Sequence, residues 1–267
     1  MPAKPDATHR RLGKTDQVDF LVGLGGITLM PMEAEAAAML AHHAIDLGVN
    51  HFDVAPTYGD AQAKMGPVLR DRRGEVFLSC KTVCRDAASA RAQLKESLRL
   101  LQTDHIDLYQ FHGLDKPEEL DQVASRGGAL EVFLEARKAG VIRYIGVTGH
   151  DPDMHKRTIE RIELDTVMAP LNFRTADRMC GEGGLIAKAR AKGMGVLAIK
   201  ATTRGEIKPT QDAYRFTLSQ DIDATMPAGK ELLAAIEIGH KFTPMPAADQ
   251  QRFLDHCRRT YELARRY

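Results

Sequence analysis

Tryptophan is absent from the 267 residues, and phenylalanine and tyrosine bring the aromatic share to only 6%. A substrate pocket in this chain therefore has few aromatic walls, and Phe173, Tyr214 and Met30 are the side chains left to build it. Cysteine is also scarce. Cys80, Cys84, Cys180 and Cys257 make no disulfide framework and point to reduced thiols in a cytoplasmic protein. Cys80 and Cys84 flank Lys81 and read as bystanders rather than as a metal or redox pair. Charge of one sign is lacking: the formal net charge is +1, which gives no reason to expect nucleic acid or an anionic membrane surface. No apolar run approaches the ~20 residues of a membrane span. The polar stretch from Met1 to Arg11 lacks the apolar core of a signal peptide. No Gly-x-Gly-x-x-Gly follows a strand, so a Rossmann dinucleotide site is not expected. No Pro/Ser-rich linker or charge run divides the chain. With 43% hydrophobic content, residues 1–267 read as one domain, with residues 1–9 disordered.

What is present is an alternation. Strand patterns fall near 20–24, 49–53, 76–81, 106–112, 142–147, 165–169, 195–199 and 222–226. Helical patterns fall near 33–47, 61–72, 87–102, 128–139, 152–162, 182–193, 209–219 and 230–240. Gly48, Gly140 and Gly193 each follow a helix and precede a strand, and Asp86 and Asp151 are placed as N-caps. Eight strand–helix pairs with short connections specify a right-handed parallel (β/α)8 TIM barrel. A short hairpin at 10–22 precedes it and an extra helix at about 247–264 follows.

Four ionisable residues stand at three consecutive strand ends. Asp53 ends the second strand and Tyr58 lies on the loop beyond it. Lys81 ends the third strand and His112 the fourth. Strand ends at one mouth of a parallel barrel form one site. The types make chemical sense together. Tyrosine near pKa ~10 is a poor acid at neutral pH, and a nearby ammonium lowers that value. Lys81 is expected to do this for Tyr58, Asp53 to hold Lys81 charged, and His112 to orient a carbonyl oxygen. Carbonyl reduction needs such a tuned acid beside a polarised carbonyl.

The pattern of Asp53, Tyr58-Gly59, Lys81 and His112 resembles that of the aldo-keto reductases. Further similar stretches are Arg11-Leu12-Gly13-Lys14-Thr15, Gly23-Leu24-Gly25-Gly26, Gly146-Val147-Thr148-Gly149 and Pro170-Leu171-Asn172. The likeness runs from about residue 10 to about 240. It implies that the hairpin plugs the closed end of the barrel and that NADPH, or NADH in second place, lies across the open mouth. It implies cofactor contacts at Gly26, Thr148, Gly149, Asn172 and Lys200, with Thr148 and Asn172 on the carboxamide. Gly205 would lie by the pyrophosphate, and Gly229 and Lys230 by the adenosine phosphate. A helix start there favours an anion. The sequence departs from the family at Met168, where a glutamine is usual, and at Lys200, where an aromatic often stacks on the nicotinamide. The segment Met226 to Glu231 is short and lacks a downstream arginine.

The activity expected is NADPH-dependent reduction of an aldehyde or ketone, in a monomer or weak homo-oligomer acting on a small-molecule carbonyl, with no resident metal. Two other classes compete. A regulatory subunit of the same fold would bind NADPH without turnover. A metal-dependent barrel hydrolase would gather His51, Asp53, His112, His150 and Asp151 around an ion, but it leaves Lys81 and Tyr58 unexplained.

Overall fold

A computed structural model describes residues 7–262. Two short strands, β1 (His9–Arg11) and β2 (Val18–Phe20), pair antiparallel as a hairpin. Eight parallel strands follow in one sheet: β3 (Leu24–Gly25), β4 (His51–Asp53), β5 (Phe77–Thr82), β6 (Ile106–His112), β7 (Ile142–Thr148), β8 (Thr166–Pro170), β9 (Gly195–Ile199) and β10 (Ala224–Met226). Each pairs with the next in sequence. The sheet closes where Gly23 N donates to Thr225 O at 2.9 Å and Thr225 N to Leu21 O at 2.9 Å. The expected barrel is therefore the observed one.

The helices arise where the sequence carries their signals. α1 (Ala34–Asp46), α2 (Ala61–Arg72), α3 (Ala87–Leu100), α5 (Ala129–Lys138), α6 (Pro152–Arg161), α8 (Leu185–Ala191), α9 (Thr210–Leu218) and α10 (Leu232–His240) match the eight expected patterns. Asp86 caps α3 by accepting from Ser89 N at 2.9 Å, and Asp151 caps α6 by accepting from Asp153 N at 3.1 Å. These bonds satisfy amides that the first turn leaves free. Gly48 and Gly140 end their helices at φ of 89° and 75°, a region that a side chain disfavours.

Two short helices were not expected: α4 (Pro117–Ala124) and α7 (Ala176–Met179). Pro117 in the first turn followed by Glu118 and Glu119 is a helix-start signature. With only Leu120 and Val123 buried, eight residues are too short for a visible period. The terminal helix α11 (Ala247–Cys257) is shorter than expected and gives way to a wider turn over Arg258–Glu262. Expectations for residues 1–6 and 263–267 lie outside the described residues. Residues 8 and 9 correct the disorder expected for 1–9: Thr8 O accepts from Leu21 N, and His9 pairs with Phe20.

The hairpin plugs the barrel floor. Leu12, at its turn, is fully buried among Phe77, Leu108, Met168, Leu197, Ala224 and Met226, which fill the barrel. A Cβ at Gly195 would stand 2.6 Å from Leu12 Cδ1, so the close approach needs glycine there. A larger apolar cluster lies between the strands and the helices.

Candidate active site

β4, β5 and β6 bring Asp53, Lys81 and His112 to one mouth, and the loop after β4 adds Tyr58. Lys81 is fully buried and its Nζ is bound to Asp53 Oδ2, with Val54 O at 3.3 Å. The ammonium sits 5.3 Å from the centre of the Tyr58 ring. Tyr58 and His112 meet edge to face, with centroids 5.8 Å apart. Thr57 Oγ1 lies 3.5 Å from His112 Nδ1. All four predicted residues are thus in one constellation.

The electrostatics differ from expectation in one respect. Burial pushes the Tyr58 phenol above its ordinary value. Lys81 pulls it down but does not win, and Asp53 adds to the rise. Burial disfavours the Lys81 ammonium, yet the attraction of Asp53 prevails and its pKa is raised. Burial brings the His112 imidazole down to about 4, with Lys81 adding to the fall, so the ring is neutral at physiological pH. Cys80, buried beside Lys81, is pushed up to about 11 by burial and remains an inert thiol.

One contact was missed. Gln110, fully buried, donates from Nε2 to Asp53 Oδ1 at 3.1 Å. It lies two residues before His112 on the same strand, and strand alternation puts both on one face. That spacing was the available signal.

The remaining predicted positions lie around the rim. Leu114 N donates to Thr148 O at 3.2 Å. Asp115 accepts from the amides of His150 and Asp151 at 2.6 and 3.1 Å and from His150 Nδ1 at 3.2 Å. Gly149 is held between them, because a Cβ there would strike the Asp115 carboxylate and the His155 ring. Gly26 is equally confined, with Asp53 O 2.9 Å from where its Cβ would stand. Asn172 reaches the rim with its amide engaged: Nδ2 donates to Lys200 O and Oδ1 accepts from Arg174 N, both at 2.9 Å. Met168 packs in the barrel interior with Leu12, so it replaces an amide with apolar filling. Gly229 N donates to Thr28 Oγ1 at 2.9 Å, so that amide is not free for an anion. The helix expected from 230 begins as a tight turn over Gly229–Glu231 and becomes α10 only at Leu232. Glu231 turns away from Lys230, accepting from Thr202 Oγ1 and Tyr214 OH, with Gly205 3.5 Å from it as a hypothetical Cβ.

The pocket wall needs a correction. Phe173, packed with Ile207, Ala213 and Cys257, and Tyr214, in the larger apolar cluster, are both buried and offer no open wall. Met30 remains, 44% exposed against Gly59, with its carbonyl held by Lys64 Nζ at 3.0 Å. The metal reading also loses its ligands. His51 is fully buried between Asp19 Oδ2 at 2.8 Å and Ser79 Oγ at 2.6 Å, one layer below Asp53. Among the described residues no cluster of three or more potential metal ligands is present.

A family model described as "Aldo/keto reductase family" matches residues 21–266. The chain belongs to that family. A Bacillus subtilis protein named as an uncharacterized oxidoreductase, YqkF, is 31% identical over 63% of this chain and 57% of its own length. The Bacillus subtilis aldo-keto reductase YhdN is 34% identical over 48% of this chain and 39% of its own. The chain thus spans well under two thirds of the length of these two relatives. In the solved holo form of a Bacillus halodurans aldo-keto reductase, 95% of that chain superposes on 93% of this one, with a TM-score of 0.76 at 23% identity, which is a likeness of fold. The rim of this aldo/keto reductase fits a bound dinucleotide in its donor set. Among the described residues the Thr148 hydroxyl, the half-buried Lys200 ammonium and the exposed Arg204 and Lys230 have no hydrogen-bonding or ion-pair partner of their own. No helix among the described residues is long and apolar enough to cross a membrane.

Proposed function

We propose that this aldo/keto reductase reduces an aldehyde or ketone to an alcohol. The observation that carries the reading is a buried ammonium, neutralised by Asp53, set 5.3 Å from the ring of a tyrosine at the barrel mouth. NADPH, when bound, supplies the hydride, because no side chain can. Thr148, Lys200, Arg204 and Lys230 would hold it at the rim, with NADH as the second choice of cofactor.

The chain's own residues then manage the proton and the carbonyl. Tyr58 stays protonated at neutral pH because burial holds its pKa high. Its hydroxyl is therefore a loaded donor, and it releases the proton to the carbonyl oxygen as negative charge develops there. Lys81 stabilises the phenolate that this leaves. Asp53 keeps Lys81 charged in a site that would otherwise strip its proton. His112, held neutral by burial, has Thr57 Oγ1 3.5 Å from Nδ1, and in the tautomer with its proton on Nε2 it donates to the carbonyl oxygen. Met30 offers the substrate an aliphatic, polarisable wall.

The test is Tyr58→Phe. Reduction of p-nitrobenzaldehyde should be lost while NADPH binding, followed by fluorescence titration, stays near wild type. Turnover at the wild-type rate in this variant would remove Tyr58 from the mechanism.

A further inference from the structure

We propose that Gln110 is a positioning residue of the site: its amide fixes the Asp53 carboxylate so that Asp53 in turn holds Lys81 beside Tyr58. This deepens the reductase reading and rests on it.

Both oxygens of the Asp53 carboxylate are engaged. Oδ2 is taken by Lys81, and Oδ1 accepts from Gln110 Nε2 at 3.1 Å. Lys81 and Gln110 are direct partners in the β5–β6 ladder, so both enter the barrel at one level. On its other side Gln110 faces Gly146 of β7. Its Cγ is 3.1 Å from where a Gly146 Cβ would stand, so that glycine makes room for the side chain. Among the described residues the charged group bonded to the amide is Asp53 on β4, itself bonded to Lys81 on β5; His112 follows two residues along β6, and the β7 neighbour Gly146 carries no charge.

The amide serves Asp53 at a cost to itself. Among the described residues Gln110 Oε1 is buried without a hydrogen-bond partner, and so is Thr166 Oγ1 across the same gap. A buried acceptor left unmet is uncommon and calls for a reason. The carboxylate supplies one, since only Nε2 can donate to it. Without that donor one oxygen of the buried Asp53 carboxylate is left bare, and the carboxylate is no longer held in the orientation that meets Lys81. Lys81 then sits less firmly beside Tyr58, and its lowering influence on the phenol weakens.

Gln110→Met and Gln110→Glu test this beside Tyr58→Phe. Methionine keeps the length and removes the donor. It should lower kcat for p-nitrobenzaldehyde with NADPH by about ten- to a hundredfold, the weight of a hydrogen bond to a charged group, with KM little changed. In the protein without cofactor, the tyrosinate absorbance that Tyr58→Phe removes should appear at higher pH. Glutamate beside Asp53 shares one proton between two carboxylates. It should keep most of the activity at acid pH, where it still donates, and lose it at higher pH through an ionisation the wild type lacks. The inference is overturned if Gln110→Met matches wild type in kcat and in the Tyr58 titration. It is also overturned if both variants share one pH-independent defect. If Gln110→Met does not fold, the pH profile of Gln110→Glu decides alone. Full activity in Tyr58→Phe would instead overturn the reductase mechanism. An inactive Tyr58→Phe with a wild-type Gln110→Met would overturn the Gln110 inference only.

Discussion

β4 and β5 each contribute to two polar assemblies, two residues apart. On the floor, Asp19, His51 and Ser79 form a hydrogen-bonded chain of carboxylate, imidazole and hydroxyl, all fully buried. At the mouth, Asp53 and Lys81 form an ion pair that leads on to Tyr58 and His112. The floor chain has the residue types of a nucleophilic triad, yet its every link ends on protein and nothing can reach it. The mouth assembly ends on a phenol and an imidazole that stand at the open rim. The comparison teaches that residue types do not make a site. An assembly closed on itself is left a structural part, whereas one with a free end is open to a bound molecule, in line with the two faces of such barrels.

The largest effect that would sharpen this contrast is at the free end. Tyr58→Phe should lower kcat by roughly 10²–10⁴, the usual weight of a general acid, while Tm, read by circular dichroism, stays within about 2 °C, since the ring that packs is kept and only its hydroxyl is lost. A large fall in Tm would mean that the mouth is structural as well. Next is the rim. Lys230→Ala should weaken NADPH by about ten- to a hundredfold, the value of one charge-assisted contact with the 2′-phosphate, and leave NADH unchanged. Both dissociation constants at one ionic strength check it, and equal losses would dismiss Lys230 as the phosphate partner.

The third change breaks the floor. Asp19→Ala leaves His51 Nδ1 unmet in a dry interior, at a cost of about 1–3 kcal/mol. Each kcal/mol lowers Tm by roughly 2–4 °C in a chain of this size. Reduction should continue within about twofold of wild type; an inactive but folded variant would join floor and mouth into one device.

A fourth, smaller effect compares two buried imidazoles. Burial brings both His112 and His155 down to about 4. The unfolded chain therefore takes up more protons as pH falls below the ordinary value near 6.5, and stability declines from there toward pH 4. Among the described residues His155 has no hydrogen-bond partner on either ring nitrogen. His155→Leu should raise Tm more at pH 5 than at pH 8, with kcat unchanged. Equal gains at both pH values would mean that His155 does not titrate on unfolding. The smallest expected effect is none: EDTA should leave the reduction rate as it was, and a loss restored by zinc would return the histidines to consideration.

How much of this was legible in the sequence follows from what carried it. Asp53, Lys81 and His112 were legible because each ends a strand with a clear apolar pattern, and a parallel barrel brings strand ends together. The partners of these residues were not. Gln110 and Asp19 meet Asp53 and His51 across 57 and 32 positions of the chain; the spacing to His112 gives the face Gln110 occupies, but no local pattern names its partner or that of Asp19. Nor was the Tyr58 pKa legible, because it balances an ammonium against burial, and burial is a property of the fold. Phe173 and Tyr214 misled for the same reason: an aromatic in a loop or early helix packs inward or outward according to neighbours that the local sequence does not name.

The seam of the barrel carries a consequence for synthesis. Gly23 finds its acceptor on Thr225, about 200 residues later. At the usual pace of about 5–20 residues per second, the edge formed by residues 21–25 waits roughly 10–40 s for its partner. Through that interval β3 offers an unpaired flank to any extended neighbour, including a second nascent copy. Its shortness, only Leu24–Gly25, leaves few backbone groups for such a neighbour to grip.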